Sequence, residues 1–139
     1  MNWIYACLVY LWIVPWQNGI AIGDLKINAP ISKQQDIREF YKEVLGATVV
    51  TPDGPVPRDY VQFDNGIRIN IIYQTKGKNT LSTSQSLKAP WIKLSVNRFG
   101  ERRAKVINFG VQVIKEVPYK ELYFQSPDGL VYRMVTTDE

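Results

Sequence analysis

The chain contains no histidine and one cysteine, Cys7, among its 139 residues. Zinc, copper and non-haem iron sites draw mainly on imidazole and thiolate, so sites of ordinary composition for those metals are excluded. Ser-His-Asp and Cys-His nucleophile systems are excluded for the same reason. A lone cysteine permits no internal disulfide, which fits a reducing compartment, and the expected location is the cytoplasm. Concentrated charge is missing too. The net charge is +4, but the 17 Lys and Arg are scattered, with no run longer than Arg102-Arg103. Nucleic-acid binders gather such charge into a stripe or interleave it with exposed aromatics, so no nucleic-acid partner is expected. What is present suits one folded domain: 45% hydrophobic residues can bury a core, and 22% charged residues is an ordinary globular share.

Residues 3–16, WIYACLVYLWIVPW, form an uncharged apolar run. It is shorter than the about 20 residues that span a bilayer. It has the length of a signal-peptide core, yet Met1-Asn2 supplies no basic side chain. Three readings stay open: an ordered arm packed on the domain or a partner, a leader that is removed, or a membrane-associated anchor. A membrane partner is not expected, and export is the alternative location if residues 1–16 act as a leader. Residues 1–24 are therefore set apart from the domain that follows.

From Leu25 the pattern is regular. Residues 25–31 read as a strand. Ser32 and Gln35 have capping-box spacing, and Ile37, Phe40, Tyr41, Val44 and Leu45 follow at helical spacing until Gly46. Residues 47–50, 60–63 and 67–73 read as strands, the last two joined at Asp64-Asn65-Gly66. Residues 74–90 are polar and without apolar period, so they read as a linker or loop. The order then repeats. A strand over 91–96 precedes a helix over 98–109, with Asn97 as candidate cap and Gly110 as stop. Strands follow over 111–117, 120–125 and 130–136, the last two joined by Ser126-Pro127-Asp128-Gly129. The domain 25–136 is thus α+β, built from βαβββ modules over 25–73 and 91–136, and such a repeat within one short chain points to duplication.

Two motifs make the resemblance nameable. The segment DIREFYKEVLG ending at Gly46 resembles the opening helix of the glyoxalase / bleomycin-resistance / dioxygenase (vicinal oxygen chelate) superfamily, and YFQSPDG ending at Gly129 is similar to the turn before that family's last strand. The resemblance covers residues 25–136. It implies a curved mixed sheet around a cleft with helices outside. It also implies four cleft positions that hold a divalent metal in the family's enzymes, usually with His and Glu. Carried onto this chain, they are Lys26, Asn70, Trp91 and Arg133. Only Asn70 is even a weak ligand, and two cations would repel a divalent ion. A one-residue slip, to Ile27, Ile69, Ile92, Tyr132 or Met134, does not restore a ligand set. No metal and no cofactor are expected, and metal-dependent isomerase, thioltransferase and dioxygenase activities are disfavoured.

Period-two alternation places Lys26, Asn28, Arg68, Asn70, Trp91, Lys93, Val131 and Arg133 on the cleft side. Of these, Lys26, Arg68, Asn70, Trp91, Lys93 and Arg133 are the candidate ligand-binding residues. Lys26, Arg68 and Lys93 read equally well as a solvated face. Arg133, in a Val-Tyr-Arg-Met-Val stretch, needs a partner, either a ligand or a carboxylate. Trp91 suits core packing or stacking on a ligand. Tyr41, Phe40 and the Asp128-Gly129 turn are given no chemistry, and no carboxylate is expected on the cleft side. No residue is singled out as catalytic. The resemblance and the basic cleft together suggest a metal-independent small-molecule binding protein, of the kind that sequesters drugs, working as a homodimer and preferring an anionic or neutral aromatic ligand. A metal-independent lyase or isomerase, and an interaction domain with a filled cleft, remain the alternatives.

Overall fold

The structure, a computed structural model, describes residues 24–64, 66–75 and 81–137. The apolar run 3–16 and Cys7 lie outside the described residues, as does Asn65 of the first hairpin turn. Strand β1 (Leu25–Pro30) leads through one tight turn (Ile31–Lys33) into helix α1 (Gln34–Glu39). The helix runs on through a wider turn over Phe40–Val44, where the Leu45 N–H reaches back to the Phe40 carbonyl at 3.2 Å. Strands β2 (Thr48–Val50), β3 (Arg58–Gln62) and β4 (Arg68–Gln74) complete the first module. A short helix α2 (Thr83–Lys88) precedes the second: β5 (Trp91–Val96), α3 (Phe99–Phe109), β6 (Gln112–Val117), β7 (Glu121–Gln125) and β8 (Val131–Thr136).

Each module makes one four-stranded mixed sheet, in the orders β1-β4-β3-β2 and β5-β8-β7-β6. The first and last strands of a module pair parallel, because the helix carries the chain back over the sheet between them. The other neighbours are antiparallel. The eight strands thus form two halves, with no ladder between them among the described residues.

The modules are joined by their apolar backs. Ile37, Phe40, Tyr41 and Val44 of the first helical segment, Val61, Ile69 and Ile71 of the first sheet, and Leu122, Phe124, Tyr132 and Met134 of the second belong to one buried cluster. Phe40 sits 5.4 Å from the ring of Phe109 and 6.0 Å from that of Phe124, both edge-on. Burying a side chain of this size contributes about 1.5–3 kcal/mol. The helix that folds against its own sheet is therefore also a floor for the other module.

Three local expectations are corrected. Ser32 lies inside the tight turn and caps nothing; Lys33 is at the helix start, with no side-chain cap. Residues 74–90 are not all loop. Ser82 and Gln85 make a full capping box on α2, the Gln85 N–H donating to Ser82 Oγ and the Ser82 N–H to Gln85 Oε1. Asn97 does not cap α3; Arg98 holds that position, with φ +51° and no side-chain cap. The stops are as expected: Gly46 (φ +67°) and Gly110 (φ +90°) take the left-handed backbone that ends a helix.

Candidate functional site

Strand register decides which side chains share a face. Ile69, Ile71 and Tyr73 of β4 point into the core, so Arg68, Asn70 and Ile72 point to the other, open face. Lys26 lies opposite Asn70 on β1, and Tyr60 lies opposite it on β3. In the second sheet Trp91 is opposite Val131, Lys93 is opposite Arg133, and Arg133 is opposite Tyr123. Lys26, Arg68 and Asn70 therefore share the open face of the first sheet, while Trp91, Lys93 and Arg133 share that of the second. Lys26 and Lys93 are exposed, and Trp91 is 52% exposed, so it is not a core residue.

The cations divide into held and unheld. Arg133 donates to Glu121 through both Nε and Nη2, and its guanidinium carbon lies 5.9 Å from the ring centre of Tyr123. The expectation that no carboxylate stands on this side is thus overturned: Leu122 and Phe124 face the core, which turns Glu121 to the open face. The chain itself thus supplies a carboxylate partner to Arg133. Arg68 is held likewise, its Nε donating to Asp24 at 2.7 Å while its guanidinium stacks 4.5 Å from the ring centre of Tyr60. Hydrogen bonds from Arg133 hold the Glu121 carboxyl below its ordinary range, and those from Arg68 do the same to Asp24. Lys26 and Lys93 make no ion pair among the described residues. The balance on both faces stays basic: Lys26, Arg58 and Arg68 against Asp24, and Lys93, Lys115 and Arg133 against Glu121.

Two buried polar networks lie behind the sheets. Asp59 is fully buried and accepts from Arg38 (2.8 and 3.1 Å), from Tyr73 Oη (2.7 Å) and from Thr51. Burial, then the bond to Asp59, push the Tyr73 hydroxyl well up. Asp128 is buried as well, taking hydrogen bonds from Tyr41, Ser126 and the Leu130 N–H (3.0 Å), while the Tyr41 and Tyr132 hydroxyls meet at 2.7 Å. Burial raises the pKa values of Asp128, Tyr41 and Tyr132. The turn at Asp128 is therefore more than a turn: it ties the first module's helical segment to the second sheet. These groups face the core and brace the two faces.

The four positions that the resemblance assigns to a metal do not fit one. Lys26 and Arg133 are donors with no acceptor to offer, Trp91 has no lone pair to give, and Arg133 is already engaged by Glu121. Among the described residues no three His, Cys, Asp or Glu side chains gather as a metal site would need. No helix among the described residues is long and apolar enough to cross a membrane.

No protein-family model and no curated protein sequence matches the chain. Solved structures do. The fosfomycin resistance protein FosX from Listeria monocytogenes superposes with a TM-score of 0.66 over 86% of this chain and 93% of that one, at 11% identity. A Bacillus anthracis protein described as of the glyoxalase family gives 0.60 over 84% and 94%, at 18% identity. The integron cassette protein VCH_CASS1 from Vibrio cholerae gives 0.60 over 86% and 96%, at 16% identity. At such identities the likeness is one of fold. With module order, strand register and these superpositions in agreement, the chain has the same paired βαβββ fold as these fosfomycin resistance and glyoxalase-family structures.

Proposed function

We propose that this protein binds a small anionic or neutral aromatic molecule on the open sheet faces, without a metal and without turning it over. The observation that carries the reading is the residue set at the cleft positions. Lys26 offers an ammonium with no ion pair among the described residues, Asn70 an amide and Trp91 an exposed indole, and Arg133 is a cation held by Glu121, where a metal site would need carboxylates and imidazoles. The excess of cations on both faces favours an anion by charge. Neighbours in the fold are fosfomycin resistance proteins, and one FosX variant was captured with manganese and a dihydroxypropylphosphonic acid. A phosphonate is a small anion of the kind a basic face would hold. Glu121 is the carboxylate that a metal-free enzyme could use as base, yet Arg133 holds it ionised and weakly basic, which speaks for binding over catalysis.

The working unit in this reading is a homodimer in the cytoplasm. Both open faces point away from the shared core, and a second copy supplies the wall that would close a cleft over Trp91. Thermal melts against a panel of phosphonates, aromatic acids and amines test the ligand class. Native-state binding raises the melting temperature by mass action. Acids should raise it by several degrees and amines should not; amines alone raising it would overturn the reading.

A further inference from the structure

We propose that Lys26 and Asn70 form a subsite for a small oxyanion that bears a neighbouring hydroxyl or amine, the ammonium taking the anion and the amide oxygen the neighbouring donor. This rests on the reading of the open faces as ligand surfaces. Strands β1 and β4 are parallel neighbours with Lys26 directly opposite Asn70. Adjacent strands lie about 4.8 Å apart, so the two side chains rise side by side from the sheet. Strand β4 is interior, flanked by β1 and β3, and the Oδ1 of Asn70 is buried with no hydrogen-bond partner among the described residues. A buried amide oxygen without a donor is costly, and native structures seldom keep one.

The neighbours do not meet that need. Across the strand from Asn70, Tyr60 accepts from Arg58 Nη1 at 3.4 Å and carries the Arg68 guanidinium on its ring. Arg68 is held by Asp24. Lys26 makes no ion pair among the described residues. A charged donor and an unmet acceptor thus stand next to each other. An oxyanion alone satisfies only the ammonium. A hydroxyl or amine one or two atoms away from it satisfies both, as in a hydroxyphosphonate or a hydroxy acid.

Propylphosphonate and 2-hydroxypropylphosphonate differ by one hydroxyl, and titrating each into the full chain by calorimetry tests the pairing. The hydroxylated probe should bind about tenfold tighter, the worth of one hydrogen bond to a buried acceptor. Asn70→Leu should erase that preference, because the amide oxygen that accepts from the added hydroxyl is removed. Lys26→Met should weaken both probes about tenfold or more. As a control on folding, Asn70→Ser keeps a small polar side chain and should retain part of the preference. Equal affinity of the two probes for the native chain would overturn the Asn70 assignment while leaving an anion-binding face intact. So would a preference that survives Asn70→Leu. Unchanged affinity in Lys26→Met would overturn the Lys26 assignment. If neither probe binds but an aromatic acid raises the melting temperature, this subsite fails and the broader reading stands; if no acid of any kind binds, both fail.

Discussion

Arg133 and Glu121 sit diagonally on neighbouring strands, each about one quarter exposed, with Tyr123 beneath the guanidinium. A cation in that stretch of strand needs a partner, and the chain supplies one from β7. Replacing Arg133 by Met leaves the carboxylate alone on a half-buried face, so Arg133→Met should lower the melting temperature by a few degrees at pH 7. The pH dependence has a definite sign. Arg133 lowers the folded pKa of Glu121, so this stabilisation is present above the ordinary carboxylate value and is lost as pH falls through the lowered one. The gap between wild type and Arg133→Met should therefore be widest near neutrality and narrow as the pH falls below the ordinary carboxylate value of about 4.3 and through the lowered one. Melts at several pH values read it directly. A variant as stable as wild type at pH 7 would mean that the arginine is free for a ligand and that the pair contributes nothing.

Among the elements, the strands were the legible part. Alternation in Trp91–Val96 and Arg68–Gln74 has the period of a half-buried strand, and apolar spacing from Ile37 to Leu45 has that of a helix; the structure places these elements within about a residue or two of the expected ends. Caps were less legible, because Ser, Asn and Gln compete for the same backbone donors and tertiary packing selects among them. Ser82-Thr-Ser-Gln85 carried the capping spacing in full, but lacked an apolar stripe behind it, and Leu87 is 62% exposed. Asp59 was hidden for the opposite reason. It occupies a core-facing position of β3, beside Val61, where the pattern calls for an apolar residue, and only the partners Arg38, Thr51 and Tyr73, distant in sequence, explain it. Glu121 was recoverable in principle, since Leu122 and Phe124 fix the parity of β7. The β6–β7 turn offers a test of backbone physics. The Lys120 N–H bonds the Val117 carbonyl at 3.0 Å across Pro118-Tyr119, and Tyr119 has φ +60° with 90% of its surface exposed. Turns of this kind seat glycine third. Tyr119→Gly should raise stability by about 0.5–1 kcal/mol, the left-handed penalty less the entropy glycine loses. Denaturant melts measure it, and a loss of stability would show that the ring makes a contact that matters.

At the scale of the molecule, the two modules read in sequence as copies of one unit within a single domain, and in the structure they share one core. Tyr41 of the first bonds Asp128 and Tyr132 of the second, Arg102 Nη1 of α3 donates to the Val44 carbonyl at 2.5 Å, and Phe40 is walled by Phe109 and Phe124. Such cross-module burial is invisible to periodicity, which reports which face is apolar and not what it meets. Residues 24–90 alone should therefore show no cooperative thermal transition, and a sharp melt of that fragment would contradict the shared core. The same arrangement turns both basic faces away from the shared core. Binding that needs no metal is the claim on which the functional account stands. Calorimetric titration of 2-hydroxypropylphosphonate into protein freed of metals by chelation, repeated with added manganese, tests it most directly. The account predicts saturable binding in the chelated protein and no change in affinity on adding manganese; binding that appears only with the metal would contradict it.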